Sequence, residues 1–156
     1  MVTVMLGLTV TMNNALFETT QQTNAAATVA IVGEIIYADM NQTVASGFST
    51  SNADRAVFQA DTSMGAGRLA TFTYYTELDG TTGLYRLYRQ VGSSYVIIAK
   101  NLVSANFQYY DSDGHVTTTP VSVDAIRVKL VAQVSGVTQG ISTTLNDFRV
   151  FPPNLN

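Results

Sequence analysis

Val2-Thr-Val-Met-Leu-Gly-Leu-Thr-Val-Thr-Met-Asn-Asn-Ala-Leu-Phe17 runs, past Glu18, into Thr19-Thr-Gln-Gln-Thr-Asn-Ala-Ala-Ala-Thr28 and then into Val29-Ala-Ile-Val-Gly-Glu-Ile-Ile-Tyr-Ala-Asp-Met40. An apolar opening thus leads into a polar, Ala- and Thr-rich stretch and then into a periodic one. Val29, Val32, Ile36 and Met40 recur at three- and four-residue spacing, with Ile35 flanking, which is one face of a 3.6-residue helix. From Ala15 to Ser46 there is no Pro, and the single Gly33 is tolerable in a helix at about 1 kcal/mol. Thr19–Thr28 shows no apolar stripe, so it is either exposed or packed against neighbouring copies. Gly47 is the expected residue just past the helix C-terminus, where a left-handed conformation ends many helices. Read as one helix, Val2–Ser46 is a rod of roughly 67 Å, longer than one small domain can cover. Half of it then lacks a partner within its own chain, which is an architecture for polymerising.

The rest of the chain reads as strands and turns. Ser49–Asp54 is a polar loop, Arg55–Ala60 a short strand and Met64-Gly-Ala-Gly67 a turn. Arg68–Leu78 alternates and is rich in β-branched and aromatic residues, and Asp79-Gly80 closes it. Leu84–Val91 and Tyr95–Ala99 pair across Gly92-Ser93 as a hairpin. Leu102–Tyr110, Val123–Val134 and Thr143–Phe151 are three more strands, the last stopped by Pro152-Pro153. The expected fold is α+β: a long N-terminal helix whose second half packs on a four- to six-stranded antiparallel sheet. Residues 1–28 form a protruding helix for a membrane or filament core, and 29–156 a globular head anchored by Val29, Val32, Ile36 and Met40.

Composition narrows the function classes. Charged residues are 12% of the 156-residue chain, about half the usual share, with Thr, Ser, Asn and Gln in their place. Net charge is −3, and residues 1–54 carry Glu18, Glu34, Asp39 and Asp54 with no base at all. Residues 55–156 are nearly neutral, with no basic stripe to neutralise phosphates, so nucleic-acid binding is not expected. Cysteine is absent, which excludes disulfide bracing and thiolate chemistry.

The apolar opening has three readings. A secretory signal wants a basic n-region, which is missing. A conventional membrane span wants about 20 apolar residues, and Thr3, Thr9, Thr11, Asn13 and Asn14 thin this one out. That leaves a short or partial span, or a helix buried among other helices; the favoured reading is the last, after a stay in the membrane before assembly. Val2, Val4, Met5, Leu6, Leu8, Val10, Leu16 and Phe17 are its candidate assembly residues.

Catalytic chemistry finds little to build on. One His, no Cys and no Gly-x-Ser-x-Gly leave no nucleophile–base pair, and Gly65-Ala-Gly67 lacks the Lys and helix pattern of a phosphate loop. No cofactor is expected. Asp111-Ser-Asp-Gly114, followed by His115, offers Asp111 and Asp113 as weak metal candidates, but a β-turn accounts for the pattern and calcium would need further acidic ligands. Tyr74, Tyr75, Tyr85, Tyr88, Tyr95, Tyr109 and Tyr110 crowd the strand region. They read as cross-strand pairs and core, with a carbohydrate face as the alternative. Arg86 and Arg89, three apart on one strand, face opposite sides. Asn41-Gln-Thr43 matches an N-glycosylation sequon, but it falls on the predicted helix, where chance in a Thr/Asn-rich chain explains it.

Arg68-Leu-Ala-Thr-Phe-Thr-Tyr-Tyr75, Gly83-Leu-Tyr-Arg86, Val96-Ile-Ile-Ala-Lys-Asn-Leu-Val103, Phe107-Gln-Tyr-Tyr-Asp-Ser-Asp-Gly114, Asp124-Ala-Ile-Arg-Val-Lys-Leu130 and the terminal Phe151-Pro-Pro-Asn-Leu155 follow a familiar order. With Asp39-Met40 and Ala45-Ser-Gly-Phe48 at a helix exit, the series resembles the prepilin-type minor pilins and pseudopilins of bacterial type IV pili and type II secretion systems, particularly the W/J-type subunits. The resemblance covers nearly the whole chain through order and spacing. It implies a subunit held in the inner membrane by its N-terminal helix and then extracted into an extracellular filament or a periplasm-spanning pseudopilus, with other pilin subunits as partners. In some pseudopilins a C-terminal loop binds calcium. Pilins carry a Glu as fifth mature residue, which pairs with a neighbour's terminal amine; Met5 stands at position 5 here. The opening looks like the middle of a pilin helix, so either the true start lies upstream or this subunit does without the Glu. The expected function is a structural filament subunit; the alternative is a surface-displayed adhesin or glycan-binding module.

Overall fold

The computed structural model describes residues 20, 23–62, 68–135 and 141–152. Helix α1 spans residues 23–40, and the strands are β1 (Thr43–Asn52), β2 (Arg55–Asp61), β3 (Leu69–Leu78), β4 (Tyr85–Val91), β5 (Ser94–Tyr110), β6 (Ala125–Ser135) and β7 (Ile141–Val150). They form one seven-stranded antiparallel sheet in simple sequence order. Every connection therefore joins neighbouring strands, from the tight turn at 92–93 to the longer loop at 111–124.

The expected fold class needs correction. Among the described residues the chain is mostly antiparallel sheet with one short helix, residues 23–40, not a long helix packed on a smaller sheet. The helix stops at Met40, six residues before Ser46, and the segment assigned to its end and to a polar loop is strand β1. The cause is local. Asn41 N–H still bonds Tyr37 O at 2.9 Å, but Gln42 N–H turns back to Asp39 O at 3.2 Å, and Thr43 and Val44, β-branched, enter the sheet. Gly47 is not a helix terminator. It lies in β1, where the pairing with β2 shifts register between Thr43 and Phe48. The sequon at Asn41 consequently leaves the helix for a turn.

β5 corrects a second reading. Tyr95–Ala99 and Leu102–Tyr110 belong to one 17-residue strand, bent where its pairing with β4 shifts near Asn101, whose φ is 58°. Asn is one of the few non-Gly residues that accept such a φ, so the kink falls where the sequence allows it. The expected turn at 64–67 lies outside the described residues.

The core sits between α1 and one face of the sheet. Val29, Val32, Ile36 and Met40 are buried against Phe58, Phe72, Tyr74, Leu87, Leu102, Phe107, Val128 and Leu130. Register aligns the aromatics: Phe58 opposes Phe72, and their rings stack at 5.6 Å with 7° between planes. The sheet curls so that the β1–β2 turn reaches the C-terminal end of β5. Phe107 N–H donates to Ala53 O at 2.8 Å, and the Tyr109 hydroxyl donates to Arg55 O at 2.9 Å.

Thr43 and Gly47 share a tight corner of this packing. Thr43 is fully buried and its Oγ1 has no hydrogen-bond partner. A Cβ on Gly47 would sit 2.7 Å from Val44 O, 2.9 Å from Gln59 O and 2.9 Å from Thr43 Cγ2. Two of those neighbours are backbone and cannot swing aside. Gly47→Ala is expected to lower stability by about 1–3 kcal/mol in urea denaturation, the usual range for overpacking; an unchanged midpoint would show that the β1 bulge yields freely.

Candidate assembly surface

Helix α1 has two unlike sides. Its inward stripe is the apolar one already described. Its exposed residues are Thr23, Asn24, Ala26, Ala27, Thr28, Ala30, Ile31, Glu34, Tyr37 and Ala38, among which Glu34 is the single charge. Ile31 is 61% exposed and Tyr37 47%. The solvated side of an amphipathic helix ordinarily carries several charges. Beside it, Ala30, Gly33, Glu34 and Tyr37 of α1 face Phe148 and Arg149 of β7 across an open cleft of about 370 Å3. β7 is the last strand of the sheet, so the cleft runs along a sheet edge.

The helix is fixed by an ion pair at its C-terminal end. Arg89 lies on the inward face of β4, opposite Tyr74 of β3. Its Nε donates to Asp39 Oδ2 at 2.6 Å and its Nη2 to Asp39 Oδ1 at 2.9 Å, a bidentate fork, while the Tyr74 hydroxyl donates to the same Oδ2. The guanidinium also lies 5.2 Å from the Phe72 ring centroid. The Asp39 hydrogen bonds raise the Arg89 pKa further above its already high value. Burial, then the Asp39 charge, pushes the Tyr74 phenol well above its usual range. Sequence reading placed Arg89 opposite Arg86 but missed its partner. The available signal was an arginine at an inward position of an alternating strand, with an acid at the end of the facing helix.

The other sequence-selected residues distribute as follows. Val2, Val4, Met5, Leu6, Leu8, Val10, Leu16 and Phe17 lie outside the described residues. Among the described residues no helix is long and apolar enough to cross a membrane. Asp111 closes a turn: its Oδ1 accepts from Asp113 N–H at 3.1 Å and His115 N–H at 2.8 Å, and Gly114 takes φ 79°. No group of three or more acidic or histidine side chains is placed to hold a metal among the described residues. Tyr74 and Tyr109 are core. Tyr75, Tyr88 and Tyr95 line the opposite face, where Tyr75 and Tyr88 stack at 4.9 Å and Tyr95 is 64% exposed.

No protein-family model and no curated protein matches the chain.

The buried tyrosines set an alkaline limit. Burial raises Tyr109, like Tyr74, well above the ordinary phenol value of 10.0. Above about pH 10 the unfolded chain releases these protons while the folded chain keeps them, so stability is complete below that pH and falls as pH rises. The expected slope is about 1.4 kcal/mol per pH unit for each residue. Denaturation midpoints from about pH 8 to about pH 11 measure it, and Tyr109→Phe should make the fall shallower; a slope unchanged by that substitution would contradict the assignment.

Proposed function

We propose that this chain is a structural, non-enzymatic subunit of an extracellular type IV pilus-like filament or secretion pseudopilus, assembling through its apolar N-terminal segment, residues 2–17. The observation that carries the reading is the exposed side of α1. It holds one charge and open Ile31 and Tyr37, and in sequence it follows a charge-free apolar segment. Surfaces of this kind gain by being covered, and a second copy supplies a matching apolar segment. Burial of each Leu or Val of residues 2–17 between copies would contribute about 1.5–3 kcal/mol, enough in sum to hold a polymer. The partners are other subunits of the filament, with the inner membrane as the site before assembly.

The pattern resemblance to minor pilins and pseudopilins supports the same reading. So does the residue inventory: the single histidine, His115, is exposed at a turn, and the chain has no cysteine. A glycan-binding adhesin draws less support, because Tyr75 and Tyr88 stack on each other and leave Tyr95 as the open ring of that group.

Leu8→Asp tests the proposal. It should abolish filaments in electron micrographs and in pelleting assays, because an isolated carboxylate in an apolar interface is strongly penalised, while leaving the thermal unfolding of the sheet domain unchanged. Filaments of normal length from the Leu8→Asp chain would refute assembly through residues 2–17.

A further inference from the structure

Asn41-Gln-Thr43 is the single Asn-x-Ser/Thr triplet in a chain rich in all three residue types. The structure moves it off the helix. α1 ends at Met40, and Asn41 and Gln42 form an exposed turn before β1. The turn follows the C-terminal end of α1.

Thr43 supplies the second observation. It is fully buried, and its Oγ1 is the one buried side-chain polar atom without a hydrogen-bond partner among the described residues. In a strand, Val would fill the same volume with equal or better propensity and no hydroxyl to desolvate. The folded protein therefore makes no use of the hydroxyl and is weakened by it. A hydroxyl that folding does not explain, at the +2 position of an exposed Asn, fits recognition of the chain before it folds.

We propose that Asn41 is an N-glycosylation acceptor, modified while Thr43 is still exposed, during or just after export. The donor is a lipid-diphosphate-linked oligosaccharide. Asn41 Nδ2 attacks the anomeric C1 and the N–C1 bond forms. The C1–O bond to diphosphate breaks, the lipid diphosphate leaves, and the amide proton passes to a base of the transferase. The Thr43 hydroxyl positions the acceptor in that enzyme, then is buried when β1 pairs with β2. The glycan projects from the α1–β1 turn. The inference needs only that the chain is exported, so it stands or falls separately from the filament reading.

Peptide mass mapping of the full chain recovered from the cells that produce it is the test, with Asn41→Gln, Thr43→Ser and Thr43→Val made in the same cells. The expected result is an oligosaccharide mass on the fragment containing Asn41, retained by Thr43→Ser and lost from Asn41→Gln and Thr43→Val. Thr43→Val should also unfold at an equal or higher temperature, so its loss of glycan cannot come from misfolding. Unmodified Asn41 in the wild-type chain, or a glycan that survives Thr43→Val, would overturn the proposal.

Discussion

The bidentate contact of Arg89 with Asp39, shared with the Tyr74 hydroxyl, is the constraint on which the rest of the arrangement depends. Apolar burial along Val29, Val32, Ile36 and Met40 holds α1 to the sheet but does not by itself choose a register, because hydrophobic attraction is non-directional. A charge pair with little exposure is directional. Asp39 accepts three donors in one geometry, and any slide or rotation of the helix leaves a guanidinium and a carboxylate half-buried and unpaired. The pair thus fixes which residues of α1 face inward and, by exclusion, which remain outside.

That division links fold to function. The inward side is satisfied within the chain. The outward side, with Ile31, Tyr37 and a run of alanines, stays exposed among the described residues. Charge is distributed in the same sense, since every base of the chain lies at or after Arg55.

Some of this was legible in the sequence. The spacing of Val29, Val32, Ile36 and Met40, the alternation of Leu69–Leu78 and the Gly92-Ser93 hairpin rest on short-range periodicity and turn chemistry, and the elements occur at those places. What was not legible depended on tertiary contacts. Ala45, Ser46 and Gly47 read equally well as a helix exit, and only the pairing of Thr43 and Phe48 with β2 on either side of them carries the strand through. The bend at Asn101 hid the continuity of β5, because a bulge breaks alternation without breaking the strand. The partner of Arg89 lay 50 residues away, beyond any local pattern.

A double-mutant cycle on Asp39 and Arg89 would measure whether this pair seats α1. Unfolding free energies would be compared for Asp39→Asn, Arg89→Met and the double variant. Each single change should destabilise, because it strands the other partner, and the two should couple by about 1–3 kcal/mol. Additivity within about 0.5 kcal/mol would contradict this and leave the seat of α1 to apolar packing alone.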